Sequence, residues 1–164
     1  MKFLPIIALV AGIAVAGCAS DPEPEATSTP TGAGTAASGP APNSVEYFNQ
    51  VVGDRVFFAT DQHTLDATAR ATLQRQAQWL QANPGSNVTI EGHADERGTR
   101  EYNLALGARR AEAARAYLVS LGVAAGRLRT ISYGKERPEA LCSAENCWSQ
   151  NRRSVTVLAG APTS

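Results

Sequence analysis

The chain has 164 residues, and its 15 lysines and arginines balance its 15 aspartates and glutamates, so the formal net charge is zero. This balance gives no bulk positive charge for nucleic-acid binding. With only two histidines and three cysteines, few side chains are available for a metal centre or a nucleophile.

The N-terminus has the pattern of an exported protein. Lys2 precedes an apolar run from Phe3 to Val15, which is shorter than the roughly 20 residues needed to span a bilayer. This pattern predicts a secretory signal peptide over residues 1–17. The small residues directly before Cys18 resemble a bacterial lipobox, which implies cleavage before Cys18 and its lipidation. The alternative is an ordinary signal peptide whose cleavage site lies near a cysteine.

Residues 18–43 are predicted to be a lipidated N-terminus followed by a disordered linker. Of the 25 residues after Cys18, 21 are Pro, Ala, Thr, Ser or Gly, and none is a large apolar residue. Such a segment cannot bury enough surface to offset the entropy lost on ordering. Ala19 also bears on location. In enteric-type bacteria an aspartate at this position would indicate retention in the inner membrane, so alanine favours the outer membrane.

The remaining residues, 44–164, suit one domain in which strands and helices alternate. Runs of β-branched and aromatic residues predict strands over 55–59, 87–93, 128–133 and 154–159. Asp66 is the predicted N-cap of a helix that runs as far as Asn83. A second helix is predicted over 100–121, ended by Gly122, and a short helix over 44–52. This order predicts an α/β fold, with a mixed four-stranded sheet and helices packed on one face.

The helix predicted over 100–121 carries two stripes of interest. Its predicted core face consists of Leu104, Gly107, Ala111, Ala114, Leu118 and Leu121. One position earlier, Asn103, Leu106 and Arg110 border that face. A border residue near a helix start can reach the preceding loop, so Asp95 and Arg110 are predicted to converge on one cleft.

Two cysteines remain after Cys18. Cys142 and Cys147 lie in one loop of about 20 residues between the last two predicted strands. Export to an oxidising compartment permits a disulfide between them. In the chain-entropy treatment so short a ring contributes about 2 kcal/mol at most. The bridge is therefore expected to fix the loop rather than to hold the fold.

A family resemblance covers residues 54–159. "EGHADERGTREYNLALGARRAEAARAYL" resembles the central segment of the OmpA-like peptidoglycan-binding domain, and "ISYGKERPEAL" and "SQNRRSV" resemble its C-terminal part. The resemblance implies a βαβαβ(loop)β sandwich. It also implies a ligand, the diaminopimelate of uncross-linked peptidoglycan stem peptides.

The resemblance assigns roles within the binding site. Asp95 would accept hydrogen bonds from the ammonium group of diaminopimelate, and Arg110 would bind its carboxylate. The other residues implied to line the pocket are Asn103, Leu106, Phe58, Ala59 and Thr60. Many relatives carry aspartate where Ala59 stands, so only a backbone contact is expected there. From the residues alone, the alternative is that Asp95 and Arg110 form only a salt bridge between the loop and the helix.

The remaining charged and aromatic side chains have simpler interpretations. His93 could suggest zinc, but a zinc site needs several ligands and the other histidine, His63, lies in a separate loop. We therefore expect His93 to close the end of its strand. The charged residues expected to be solvated are Glu96, Arg97, Arg100, Arg109, Glu112 and Arg115. Trp79 and Trp148 are expected to pack.

Two classes of function follow. The first is a non-catalytic tether between outer membrane and wall, acting with the Tol proteins, and above all TolB, during envelope constriction; these partners are implied by the resemblance. The second is a periplasmic amidase or peptidase acting on the wall. An enzyme would need a nucleophile or metal with an oriented base, and the sequence offers no His-x-x-x-His or Gly-x-Ser-x-Gly motif. We therefore expect no catalytic residues, cofactor or metal.

Overall fold

The computed structural model of the chain describes residues 39–159. The predicted signal peptide, the lipidation site Cys18 and residues 19–38 of the predicted linker lie outside this range. At the described end of that linker, the Trp79 indole N–H donates a hydrogen bond to the Pro42 carbonyl at 2.7 Å. Within residues 39–159, no helix has the length and apolar character needed to cross a membrane.

The elements follow the predicted order, with one addition. They are α1 (Val45–Tyr47), which continues as a π-helical segment (Phe48–Gly53), β1 (Arg55–Phe57), α2 (Ala67–Ala82), β2 (Val88–His93), α3 (Arg100–Ser120), a 3-10 turn (Ala125–Arg127), β3 (Leu128–Gly134), α4 (Glu145–Asn151) and β4 (Arg153–Leu158). The added element is α4, which lies in the segment expected to be only a loop. The predicted α/β class is confirmed.

Side-chain caps fix the starts of the two long helices. Asp66 accepts a hydrogen bond from the Ala69 amide at 2.7 Å, as the sequence predicted. Thr99 caps α3 by accepting from the Tyr102 amide at 3.2 Å. At the other end of α3, Gly122 takes the left-handed conformation, with φ 94°, that ends many helices.

The sheet is mixed, with the order β1-β4-β2-β3. β2 and β3 are parallel, and β4 runs antiparallel to both of its neighbours. α2 and α3 cover the same face: the Gln76 side chain of α2 bonds to Thr156 of β4, and Ser132 of β3 donates to a backbone carbonyl of α3. The prediction of helices packed on one face is confirmed.

α3 approaches the sheet most closely where two glycines meet. A Cβ atom on Gly92 of β2 would lie 2.6 Å from the Gly107 carbonyl carbon, closer than real Cβ atoms come. Glycine at both positions therefore lets the helix backbone touch the strand. This contact sets the height of α3 above the sheet, and with it the position of every α3 side chain at the candidate site.

One core assignment is wrong. Leu104 was expected in the core of α3 but is 46% exposed, whereas Asn103, Leu106 and Arg110, expected at the border, are buried. The reason is a backbone contact: the Ser132 hydroxyl donates to the Leu104 carbonyl at 2.6 Å. The backbone of Leu104 thus faces the sheet and its side chain turns to solvent. Gly107, Ala111, Ala114 and Leu118 are buried as predicted.

Two ion pairs tie the segment between β3 and β4 to the sheet. Arg153 of β4 is almost fully buried there and pairs with Glu139 at 3.3 Å. Glu139 also pairs with Arg55 of β1 at 3.2 Å. The Asn151 side chain accepts hydrogen bonds from the Glu139 and Ala140 amides and so ties the end of α4 to this segment.

Candidate functional site

A groove of about 310 Å³ opens between the loop after β1, the loop after β2 and the first turns of α3. Its lining residues are Thr60, Asp61, Asp95, Arg97, Gly98, Tyr102, Asn103 and Leu106. The loop after β2 carries Asp95, two residues beyond His93 at the end of the strand. Four residues predicted for the site, Thr60, Asp95, Asn103 and Leu106, therefore lie together in one groove. The other three predicted residues, Arg110, Phe58 and Ala59, are not among its lining residues.

Asp95 is the central carboxylate of the groove, and it is 7% exposed. Its Oδ1 accepts from the Arg97 amide at 3.1 Å, and its Oδ2 accepts from Arg97 Nη2 at 2.7 Å and from Arg152 Nη1 at 3.4 Å. Burial alone would raise the pKa of Asp95, but the hydrogen bonds and charge of Arg97, helped by Arg152, hold it below the ordinary value. Asp95 is thus an ionised, fixed acceptor.

Arg97 was expected only to be solvated, but its guanidinium lies between two groups. It pairs with Asp95 on one side, and on the other it stacks on the Trp148 ring, 4.3 Å from the centroid. The Trp148 indole N–H donates to Glu96 Oε1 at 3.2 Å, which fixes the ring. Trp148 is therefore a platform for a groove residue as well as a packing residue.

Arg110 is fully buried and its guanidinium is directed at backbone carbonyls. It donates to Gln62 at 2.8 Å, to His93 at 2.8 Å and to Ala59 at 3.3 Å. Burial lowers its pKa to about 10, while the charge of Asp95 acts in the opposite sense, so it remains a cation at neutral pH. In residues 39–159 none of the ion pairs within 4.0 Å includes Arg110. It is a buried cation held by neutral oxygens.

The other residues predicted for the site fall around these two charges. The Asn103 amide, almost fully buried, donates to the Arg97 carbonyl at 2.7 Å and ties the loop to α3. Phe58 is buried under Arg110, with its ring centroid 5.2 Å from the guanidinium carbon. Ala59 is exposed and offers only its carbonyl, to Arg110. β1 ends at Phe57, two residues earlier than predicted, so Phe58 and Ala59 belong to the loop.

Three residues of the site were not singled out from the sequence. The Tyr102 hydroxyl bonds to Asp61 and so closes one wall of the groove. Asp61 takes a left-handed conformation, with φ 55°, which is uncommon for a residue other than glycine. Arg152, buried beside Asp95, is the third. Of these, Tyr102 and Arg152 carried a sequence signal, because both lie in the quoted family segments, whereas Asp61 lies outside them.

His93 is fully buried at the end of β2. Burial, and the positive charges of Arg153 and Arg137, lower its pKa to about 3, so it is neutral at ordinary pH although its Nε2 lies 3.6 Å from Glu91. A strand-end position of this kind agrees with the structural role expected for it. Residues 39–159 contain no group of three or more His, Cys, Asp or Glu side chains arranged to hold a metal ion.

Cys142 and Cys147 form a disulfide, as predicted, with their Cα atoms 5.6 Å apart. Cys147 lies in the first turn of α4, so the bridge anchors that helix to the preceding loop.

The groove itself presents carboxylate, guanidinium, hydroxyl and amide groups. Such a set suits ion pairing with a ligand that carries both charges.

The sequence comparisons place this architecture among known proteins. Residues 57–152 match the OmpA family. Over 156 residues the chain is 59% identical to a peptidoglycan-associated lipoprotein of Rhizobium meliloti (strain 1021), an alignment that covers 95% of this chain and 88% of that protein.

Solved structures give the same grouping. The peptidoglycan-associated lipoprotein of Burkholderia pseudomallei is 42% identical, with a TM-score of 0.65 over 67% of this chain and 95% of that one. The C-terminal domain of Helicobacter pylori MotB is 20% identical, with a TM-score of 0.61 over 66% of this chain and 85% of that one. The MotB domain supports the fold alone.

Proposed function

The chain belongs to the OmpA family and, within it, to the peptidoglycan-associated lipoproteins, and from this membership we propose that it is a lipid-anchored protein that binds peptidoglycan without catalysis. Binding takes place in the groove around Asp95. The ligand is the side-chain terminus of diaminopimelate in an uncross-linked stem peptide, which carries one ammonium and one carboxylate.

The observation that carries this proposal is the buried, unmatched cation Arg110. A buried charge without a partner is costly, and a ligand carboxylate would supply the missing anion. Three hydrogen bonds to backbone carbonyls hold the guanidinium in place and use three of its five N–H groups. Because Arg110 is fully buried, a carboxylate would reach the other two only after a shift of the loop that covers it. Two of those carbonyls, from Ala59 and Gln62, belong to the loop that forms the groove wall, so the ligand's carboxylate would enter beside this loop.

Asp95 supplies the complementary charge. An ionised carboxylate has about four acceptor positions, and its bonds to Arg97 and Arg152 leave room for an ammonium from the groove side. Asn103 and Leu106 shape the floor and Thr60 the wall, Phe58 supports the Arg110 guanidinium from beneath, and Ala59 contributes through its backbone. A ligand with both charges at one terminus would satisfy both residues at once, whereas a ligand with one charge would leave the other residue unmatched.

The anchoring part of the proposal rests on the sequence. Lipidation of Cys18 would hold the chain in the outer membrane, and the Pro/Ala/Thr/Ser/Gly segment would let the domain reach the wall. In this role the protein would act with TolB and the other Tol proteins during envelope constriction and cell division. A Cys18→Ser variant is expected in the soluble periplasmic fraction; its recovery with outer membranes would contradict lipidation.

The central test is sedimentation with purified diaminopimelate-type peptidoglycan sacks. Asp95→Ala and Arg110→Ala should each lose binding, because truncating one partner of a desolvated charge pair costs roughly 2–5 kcal/mol. The matched controls are Glu112→Ala and Arg70→Ala, which remove exposed charges outside the groove and should bind like the unmodified protein. Circular dichroism confirms that each variant is folded.

Two further arms sharpen the test. Lysine-type peptidoglycan lacks the side-chain carboxylate, so it would leave Arg110 unmatched and should bind much more weakly. The supernatant is also analysed for soluble wall fragments, which a non-catalytic protein should not release. Folded alanine variants that still sediment with the sacks would refute the assignment of Asp95 and Arg110, and fragment release would refute the absence of catalysis.

A further inference from the structure

Helix α4 is too short to be stable alone. It has seven residues, and its N-cap, Ala144, provides no side-chain hydrogen bond. Isolated helices of this length are marginal in water. Its attachments include the disulfide from Cys142 to Cys147 in its first turn, the hydrogen bonds of Asn151 in its last turn and the hydrogen bond from Trp148 to Glu96.

α4 carries two side chains that contact the arginine partners of Asp95. Trp148 stacks on Arg97, and Glu145 pairs with Arg152, with a second contact from Arg152 Nη1 to Glu145 Oε2 at 3.4 Å. Arg97 and Arg152 in turn hold Oδ2 of Asp95. A continuous set of contacts therefore runs from the disulfide through α4 to the carboxylate of the groove.

We propose that α4, anchored by the Cys142–Cys147 disulfide, positions Asp95 for ligand binding, with Trp148 and Glu145 as positioning residues that act through Arg97 and Arg152. This inference rests on the proposed function for its consequence, ligand affinity. The orientation of Asp95 by α4 does not depend on the proposed function.

The physical reason is the freedom of a long, partly exposed side chain. The Arg97 side chain is 41% exposed, and without the Trp148 face many rotamers compete with the one that binds Asp95. When the Arg97 guanidinium leaves, Asp95 Oδ2 loses the shorter of its two arginine contacts and can bind water instead, while Oδ1 keeps its bond to the Arg97 amide. Loss of such preorganisation weakens binding without removing any ligand contact.

The direct experiment breaks the bridge. A dithiol such as dithiothreitol donates two electrons and two protons to the Cys142–Cys147 bond, yielding two thiols and its own cyclic disulfide; Cys142 is exposed to attack. We expect the reduced protein to remain folded but to bind diaminopimelate-type sacks about three- to tenfold more weakly, since the stacking and the partly exposed ion pair are each worth a few-fold. Affinity that is unchanged or higher after reduction would overturn the proposal.

A double-variant design separates positioning from a general effect of reduction. The Trp148→Leu/Glu145→Gln variant should bind as weakly as the reduced protein, and reduction should change its affinity less than about twofold, because the two perturbations act through the same contacts. The matched control is Leu141→Ala, which changes an 88% exposed side chain next to the bridge and should respond to reduction as the unmodified chain does. Equal sensitivity to reduction in both variants contradicts the proposed route.

A readout without ligand distinguishes this inference from the proposed function. The side-chain carboxyl carbon of Asp95 is titrated by NMR in the oxidised and reduced protein. Because Arg97 and Arg152 hold the pKa of Asp95 below its ordinary value, reduction should raise it. If the oxidised protein binds no peptidoglycan, the proposed function fails while this titration still decides the positioning role. Identical titration curves would refute that role.

Discussion

The contact between Gly107 of α3 and Gly92 of β2 predicts an unusual outcome for a conservative substitution. In most helix interiors Gly→Ala stabilises by about 1 kcal/mol. In Gly107→Ala the new methyl would lie 2.8 Å from the Gly92 carbonyl oxygen and would overlap the Ser132 hydroxyl, whereas ordinary contact begins at 3.4 Å. α3 would therefore have to move by about 0.6 Å from the strand, and overpacking of this kind costs about 1–3 kcal/mol.

We expect a net loss of about 1–2 kcal/mol in the free energy of unfolding, or about 5–10 °C in Tm for a domain of this size. Urea unfolding followed by tryptophan fluorescence measures the first quantity, and a thermal melt the second. The matched control is Gly126→Ala, whose methyl would meet nothing within 4 Å. A Gly107→Ala protein as stable as the unmodified chain, or more stable, would show that α3 is not held at the distance described.

The remaining predictions concern pH and one buried hydrogen bond. Arg97 holds the pKa of Asp95 in the folded protein below its ordinary value. The stability that this carboxylate contributes is therefore complete above its pKa in the unfolded chain and is lost as pH falls through its pKa in the folded protein. Since Asp95 stays ionised, sedimentation with sacks should be constant from about pH 7 to pH 5. Burial, Arg153 and Arg137 lower the pKa of His93 to about 3, against an ordinary value of about 6.5, so between these two pH values the unfolded chain binds more protons than the folded one. Urea unfolding should therefore show the free energy of unfolding decreasing as pH falls from about 6.5 towards 3, by up to about 1.4 kcal/mol per pH unit. A His93→Gln variant should show a shallower decrease. Thr156→Val removes the 2.9 Å bond to Gln76 and should cost about 1–3 kcal/mol in urea unfolding by leaving a buried amide oxygen unmatched, whereas little loss would show that the oxygen finds another donor.

Sequence reasoning succeeded where a local pattern determines the structure. Asp66 and Gly122 mark helix ends through caps that need only neighbouring residues. The strands follow from short β-branched runs, and the disulfide from two cysteines five positions apart. The motif also brought Asp95, Asn103 and Leu106 into one groove, because the loop and the helix that carry them are adjacent in the chain.

It failed where contacts between distant segments decide the outcome. Helical periodicity placed Leu104 in the core, but a hydrogen bond from Ser132, 28 residues away, turns its backbone to the sheet. α4 has no apolar stripe and depends on a disulfide and on Asn151 for its attachment. Arg97 looked like a solvated loop charge, because its stacking partner, Trp148, lies in a segment with no evident link to the groove.

The strand order determines when the sheet can form as the polypeptide emerges. β1 has β4 as its sheet neighbour, and β4 also pairs with β2, so the last strand of the described chain lies between the two strands formed from its first half. During synthesis or export that proceeds from the N-terminus, β1 and β2 therefore emerge long before β4, the strand that pairs with both. Such long-range pairing is slow, and the unpaired edges are prone to aggregation while they wait. β1 can therefore join the rest of the sheet only after β4, which ends at Leu158, has emerged.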